Sequence, residues 1–339
     1  MNGRRVNINP AIKSLDFVLY LSQNQQLTGR ATDMNGRRVN MADSTLCKHE
    51  LGFLQVADKP SPQALADYYE QTYFQNESGN YRKRYSALET EVISLRIAQR
   101  AAQVAGLTGR ETPCSMLDVG CGEGFAISYF RSLGWQVAGI DFSRAGVEQM
   151  NPDCAQFVQQ GDVFRLLDAR IAAGEKHDLV WLGNVLEHVL DPVGLLQSLR
   201  RLVSADGLLV VTVPNDGNAY HEALLESGQI PNRFWIAIPD HISYFTADSL
   251  KRTAAATGWQ CLALQGDFPI DLYLAHEGSN YVADRSRGTA AHQARLGLER
   301  LIGMAGLDAA NRFYASLAEV GLGRNITAYL RPQPESQPS

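Results

Sequence analysis

From Cys114 onward the chain alternates between short apolar runs and amphipathic stretches. Ser115–Val119, Gln136–Ile140, Ala155–Val158, Asp178–Leu182 and Leu208–Val213 have the length and apolar content of strands buried on both faces. Phe125–Leu133, Ala145–Met150, Val163–Ala172 and Val193–Leu202 lie between them and carry apolar residues at helical spacing. This alternation predicts an α/β fold, a doubly wound parallel sheet covered by helices on both faces. Asp206-Gly207 supplies a turn before the fifth strand and Pro214 ends it. A further helix is expected over Ala247–Ala256, with strands at Trp259–Leu264 and Ile326–Leu330. The interval of about Phe268–Gly323, with its helical stretch Ala290–Gly303, reads as a helical insertion before the last strand.

Upstream of the alternating region the pattern is helical. Leu65, Tyr68, Tyr69 and Tyr73 recur at helical spacing within Ala64–Phe74, where Ser61 can cap and Pro62 can occupy the first turn. After the turn-like Asn76–Asn80, a second helix is expected from about Tyr81 to Val104, burying Leu88, Val92, Leu95, Ile97 and Ala101. Gly106–Pro113 has the composition of a linker. Met1–Asn7 and Met34–Asn40 are the same heptapeptide, and two copies do not make a solenoid. The expected organisation is a polar, mobile leader (1–45), an N-terminal helical cap (46–112), a core (113–267), a helical insertion (268–323), a last core strand (324–332) and a disordered tail (333–339).

Composition narrows the function. The chain has 339 residues, 45% of them apolar, enough for a sizeable buried core. A net charge of −5 without a Lys/Arg block argues against nucleic acid as a partner. Cys47, Cys114, Cys121, Cys154 and Cys261 are scattered without C-x-x-C spacing, so neither a disulfide framework nor a metal site is legible, and a reducing cytoplasm fits. No apolar run approaches the roughly 20 residues of a transmembrane helix. Arg4-Arg5 followed by Leu15–Leu21 resembles the start of a secretory signal, but Asp16 interrupts it and no small-residue cleavage site follows. No motif speaks to oligomeric state.

The most specific chemistry lies in Leu117-Asp118-Val119-Gly120-Cys121-Gly122-Glu123-Gly124, an apolar strand turning through alternate glycines into a helix. Gly120, Gly122 and Gly124 can take positive φ and let a ligand approach the main chain, and the following helix offers free N–H groups. Phe125 stands where a dinucleotide fingerprint wants a small residue, which disfavours NAD. Asp141 ends the second strand, placed to accept hydrogen bonds from ribose hydroxyls, with Phe142 beside it as an adenine cover or a core residue. Gly161-Asp162-Val163 ends the third strand, where a carboxylate can receive an adenine amino group.

With these motifs in phase, the chain resembles the class I, Rossmann-like S-adenosylmethionine-dependent methyltransferases over roughly Cys114–Leu264. The glycine turn is similar to that family's first motif, Ile140-Asp141-Phe142 to its second and Gly161-Asp162-Val163 to its third. Leu182–Val189 with Asp191-Pro192 resembles the motif after the fourth strand in members that methylate small molecules, including quinone-biosynthesis O-methyltransferases, and Val213-Pro214-Asn215 matches another frequent segment. The resemblance implies a seven-stranded sheet with an antiparallel last strand and S-adenosyl-L-methionine as cofactor. It implies donor contacts from Asp118, Gly120, Cys121, Gly122, Gly124, Asp141, Phe142, Asp162, Val163 and Asn184. Cys47-Lys48-His49 is similar to a subgroup with a cysteine-rich segment before the core, but the paired cysteines are missing. Pro239–Thr246 and Gly321–Asn325 resemble methyltransferases of surface-polysaccharide pathways, implying a saccharide or lipid-linked sugar acceptor.

The donor's methyl is already activated by its sulfonium, so the protein must hold an acceptor in line with the S–CH3 bond at about 3–3.5 Å. An alcohol must also lose a proton, and His188 and His241 are the candidate bases. His188 either serves so or begins a solvated helix with Glu187, whereas His241 sits in a Pro/aromatic loop where an acceptor should enter. Asp118 braces the turn, and Asn184 either caps a helix or touches the donor. Tyr81 and Arg84 either reach the donor's carboxylate or lie on a helix surface, and Trp235 either lines the acceptor pocket or seals the domain. A catalytically inactive donor-binding subunit and an NAD-dependent oxidoreductase are the alternatives. No Asp/Asn-Pro-Pro-Tyr/Phe segment follows the fourth strand, which argues against amino-group methylases and leaves hydroxyl, carbon or carboxylate acceptors.

Overall fold

The computed structural model describes residues 45–61, 65, 84–109 and 114–334, with the backbone of 30–32 and 38–40. The expected helix over Ala64–Phe74 lies, Leu65 excepted, outside the described residues, as do Tyr81, most of the leader and its repeat, and the final five residues. The chain divides into two compact units, Met1–Thr45 and Leu46–Ser339. The first holds an antiparallel pair, β1 (Arg30–Thr32) and β2 (Arg38–Asn40).

The second unit begins with β3 (Leu46–Lys48), β4 (Leu54–Val56) and helix α1 (Ala87–Thr108). Ser86 and Glu89 form a capping box that starts α1 later than the apolar spacing alone suggests, and Gly109, at φ 65°, ends it. Alternating elements follow: β5 (Ser115–Val119), α2 (Phe125–Ser132), β6 (Gln136–Asp141), α3 (Ala145–Met150), β7 (Val158–Gln160), α4 (Val163–Ala172), β8 (His177–Gly183), α5 (Pro192–Arg200) and β9 (Val203–Pro214). The chain continues through α6 (Ala219–Glu226), β10 (Ser243–Tyr244), α7 (Ala247–Ala256), β11 (Trp259–Gly266), α8 (Gly288–Met304), α9 (Leu307–Glu319) and β12 (Asn325–Pro332).

The main sheet has seven strands in the order β11-β12-β9-β8-β5-β6-β7, and β12 runs antiparallel to both neighbours, as expected. Alternate residues of each strand point to opposite faces. Leu117, Val119, Val180 and Leu182 pack on one face with Leu167 of α4, Leu195 and Leu199 of α5 and Leu250 of α7. Met116, Leu179 and Trp181 pack on the other with Ile97 and Val104 of α1 and Phe130 of α2. Both faces are covered, hence the near-continuous apolar strands. Strand order reverses at β5, so the carboxyl ends of β5, β6 and β8 diverge around a crevice at the switch point. Among the described residues no helix is long and apolar enough to cross a membrane.

The structure corrects several local expectations. Pro152 opens a 3-10 turn over Pro152–Phe157, so the third strand begins at Val158, and Cys154 and Ala155 pack beside Ile127 and Val147 instead of joining the ladder. Helix α6, capped by Asn218, was not expected, nor was the small sheet β10-β4-β3. The insertion holds α9 as well as the expected α8; α9 buries Ala310, Tyr314 and Ala318, and alanine gives a weak apolar signal.

Helix α8 is fastened to α1 by Arg96, whose Nε and Nη2 donate to Glu299 at 2.7 and 2.6 Å. The Glu299 side chain is 3% exposed and that of Arg96 28%. Removing one partner strands a buried charge. Glu299→Ala is expected to destabilise the protein by about 3 kcal/mol, the lower end for a broken buried pair because Arg96 keeps some water. Urea unfolding checks this, and an unchanged midpoint would show that the pair does not hold α8.

Candidate functional site

The ten residues implied as donor contacts and the two candidate bases, His188 and His241, line one cavity of about 850 Å³ above the switch point. Its floor is the turn from β5 into α2. Gly120, Gly122 and Gly124 have φ of 71°, 52° and 73°, a region that disfavours side chains. A Cβ on Gly120 would lie 2.4 Å from Val185 Cγ2, so this glycine also admits the turn after β8. Gly124 is the N-cap of α2 and makes no side-chain cap bond, leaving first-turn N–H groups at the cavity wall.

Asp141 ties the second strand to that turn. Its Oδ2 accepts the Gly122 N–H at 2.8 Å and its Oδ1 the Ser143 N–H at 2.9 Å. Burial raises its pKa and these main-chain bonds partly offset the rise. The brace therefore comes from Asp141, not from Asp118. Asp118 is buried, and that burial, with the charge of Asp141 beside it, pushes its pKa up to about 8. Cys121 lines the cavity, but its thiol packs with Ile127, Val147 and Cys154, and burial raises its pKa far out of reactive range. Asp162 caps α4 by accepting the Arg165 N–H at 2.9 Å through Oδ1. Phe142 is 39% exposed, which excludes the core reading and sets its ring at the rim.

The opposite wall is built by the turn after β8. Asn184 has φ 56° and begins no helix; its Nδ2 donates to Glu187 Oε1 at 3.2 Å. Glu187 is 1% exposed, so it does not begin a solvated helix. Its backbone oxygen accepts the N–H groups of Ile242 and Ser243, which draws the 237–242 loop onto this turn. Tyr244 pins the same loop, its hydroxyl donating to the His241 carbonyl at 3.0 Å and accepting the Ala237 N–H at 3.2 Å. His188 and His241 thereby meet edge to face, ring centroids 4.9 Å apart. Glu187, His188 and His241 bring one potential ligand atom each within 4.8 Å of the others. Burial alone would lower the His188 pKa, but its bond to Asp240 and the Glu187 and Asp240 carboxylates outweigh burial and hold it up to about 9.

Trp235 does not line the cavity; it stacks on His221 at 4.7 Å and seals a neighbouring apolar cluster. Arg84 is exposed just ahead of α1 and does not reach the cavity. Sequence reading missed Tyr85, whose hydroxyl donates to Glu123 at 2.8 Å, and the cavity-lining Arg100 and Arg324. It also missed Asp216, buried beside His241 and paired with Arg324 at 3.0 Å, although its place just beyond β9 makes it a further strand-end acid.

The sequence profile of a family described as a methyltransferase domain matches residues 82–264. The chain is 32% identical over 129 residues to a ubiquinone biosynthesis O-methyltransferase of Glaesserella parasuis, covering 36% of this chain and 52% of that one. It is 28% identical over 189 residues to the ubiquinone biosynthesis O-methyltransferase of Colwellia psychrerythraea, covering 53% and 74%. The match thus spans about half the length of the first of these relatives. Among solved structures, the 1,6-didemethyltoxoflavin-N1-methyltransferase of Burkholderia thailandensis, with S-adenosylhomocysteine bound, is 14% identical over 86% of this chain and all of that one, at a TM-score of 0.46.

The Asp118 environment sets a pH dependence. With its folded pKa raised from 3.8 to about 8, the native state holds a proton that the unfolded chain has lost between those values. The stability from this group is full below about pH 4 and lost as pH rises through about 8. Asp118→Asn is expected to flatten the decline of unfolding free energy between pH 5 and 8, and parallel profiles for both proteins in denaturant titrations would refute the assignment.

Proposed function

The chain belongs to the methyltransferase-domain family, and from that premise we propose that it transfers a methyl group to a hydroxyl of a small-molecule acceptor by in-line displacement. Its methyl donor is S-adenosylmethionine. The observation that carries the proposal is the convergence of the glycine turn, Asp141, Asp162 and the two histidines on one cavity.

In this reading the two ends of the cavity divide the work. Asp141, fixed by Gly122 and Ser143, turns its remaining lone pairs to the ribose hydroxyls. The free oxygen of Asp162 takes the adenine amino group, Phe142 covers the base and the first turn of α2 receives the donor's carboxylate. Asp118, Gly120, Cys121, Gly122, Gly124, Val163 and Asn184 shape the remaining donor wall. The acceptor enters at the histidine end. The sulfonium loses its charge in the transition state, so acids belong on ribose and adenine, away from the sulfur. His188, held cationic in the ligand-free protein, is a poor proton acceptor by itself. Activation of the hydroxyl therefore rests on His188 and His241 together with Glu187.

The names of the relatives support an oxygen acceptor. A saccharide or lipid-linked sugar is the narrower reading, supported by the likeness of Pro239–Thr246 and Gly321–Asn325 to polysaccharide-pathway enzymes. The free thiols of all five cysteines suit a reducing cytoplasm.

Labelled donor incubated with lipid-linked sugar and phenolic acceptor fractions, with products identified by mass spectrometry, tests the activity. Donor binding without transfer to either would instead make this a donor-binding interaction subunit. Asp141→Ala removes charge-assisted hydrogen bonds of about 1.5–3 kcal/mol, so donor affinity by calorimetry is expected to fall about 10- to 150-fold; undiminished affinity would overturn the donor site. His241→Ala and His188→Ala are each expected to lower kcat by about 100-fold or more with donor affinity within about twofold, and unaltered turnover in both variants would remove the histidines from the chemistry.

A further inference from the structure

Two histidine–carboxylate pairs elsewhere in this protein are closed hydrogen bonds, His221 Nε2 lying 2.8 Å from Asp271 and His292 Nε2 2.9 Å from Glu89, whereas His177 Nε2 stands 3.5 Å from Glu175. At the acceptor end of the cavity the same groups stand further apart than in those two closed pairs, the nearest being His188 Nδ1 and Asp240 Oδ1 at 3.4 Å. His188 Nε2 lies 3.7 Å from Glu187 Oε1, His241 Nδ1 3.8 Å from Asp216 Oδ2 and His241 Nε2 3.9 Å from Asp240 Oδ2. A proton bridges atoms about 2.7–3.2 Å apart and does not close such gaps. An ion with bonds of about 2.0–2.2 Å joins donors separated by about 3–4.4 Å, which does.

Of the buried side-chain atoms without a hydrogen-bond partner, which also include both ring nitrogens of His177, four lie at this place. Glu187 Oε2, Asp216 Oδ2, Asp240 Oδ1 and His241 Nδ1 are buried without a hydrogen-bond partner. The Glu187 side chain is 2% exposed, and an uncompensated buried carboxylate is costly. The prospective ligands are also oriented from behind, as metal ligands usually are. His188 Nδ1 bonds the Asp240 backbone oxygen at 2.8 Å, which turns Nε2 toward Glu187, and Asn184 holds Glu187 Oε1. All separations in the set lie within 4.8 Å, so binding an ion asks for a contraction of at most a few tenths of an ångström.

The geometry points to a divalent transition-metal site formed by Glu187, His188 and one ring nitrogen of His241. Two imidazoles and one carboxylate suit Zn2+, Co2+ or Mn2+ and not the all-oxygen preference of Mg2+ or Ca2+. Three protein ligands leave a coordination position open to the cavity. Resting on the methyl-transfer reading for its chemical use, that position takes the acceptor hydroxyl oxygen, whose acidity rises on binding a Lewis acid. The hydroxyl proton leaves to bulk water; the oxygen lone pair forms the O–CH3 bond while the S–CH3 bond breaks and its electron pair stays on the sulfur. His241 then serves as a ligand that activates the hydroxyl through the ion.

Co2+ is the probe, added to the full chain after dialysis against chelator. The expected result is one equivalent bound, with visible ligand-field absorption of nitrogen and oxygen ligation and without the thiolate charge-transfer band that Cys47 would give. Glu187→Gln and His241→Ala should each weaken Co2+ affinity at least about tenfold while S-adenosylhomocysteine binding by calorimetry is retained, which also shows that each variant is folded. Excess Mg2+ should not displace Co2+. Absence of stoichiometric Co2+ binding, or affinity unchanged in both variants, would overturn the site. Co2+ bound as expected with no methyl transfer to any acceptor would leave the site standing and refute the proposed activity, so the two failures are distinct.

Discussion

A single carboxylate holds the glycine-turn end of the cavity together. Asp141 spends one oxygen on the Gly122 N–H and the other on the Ser143 N–H, joining the end of β6 to the turn leaving β5. Glycines at positive φ are entropically costly to order, and a turn made of three of them needs an external anchor. The anchor sits where the strand order reverses, so fixing the turn fixes the mouth of the crevice. The arrangement also crowds a second acid, Asp118, into low dielectric, which keeps a proton there at neutral pH and limits repulsion between the two carboxyls.

What could be read in the sequence follows the range of the interactions involved. The glycine turn, Asp141 and Asp162 belong to motifs whose geometry is set within a few residues, and the alternation of strands and helices recorded the parallel sheet directly. The third strand was misplaced because Pro152 favours a 3-10 turn over a segment whose apolar content suits either state. Helix α9 was overlooked because its buried face is partly alanine. The two readings of Glu187-His188 could not be separated locally, since nothing nearby shows that the 237–242 loop closes over Glu187; that closure depends on main-chain bonds spanning more than fifty positions. Arg324 and Asp216 meet across 108 positions, and neither sits in a motif that names its partner.

The two ends of the cavity solve opposite electrostatic problems. At the donor end, burial is relieved by main-chain N–H groups and by protonation. At the histidine end, carboxylates and imidazoles are gathered at 3.4–3.9 Å, and their desolvation is left partly uncompensated within the protein. Fully paired buried charges rigidify a core, whereas partly paired ones are costly in low dielectric.

The missing side chain of Gly120 has a mechanical consequence. Val185 fills the space where a Cβ would stand, so the strand-end turn under the donor and the turn carrying Asn184, Glu187 and His188 are in van der Waals register. A side chain at position 120 would have to push Val185 aside and the turn that carries it, so the absent Cβ sets how closely these two loops approach across the crevice.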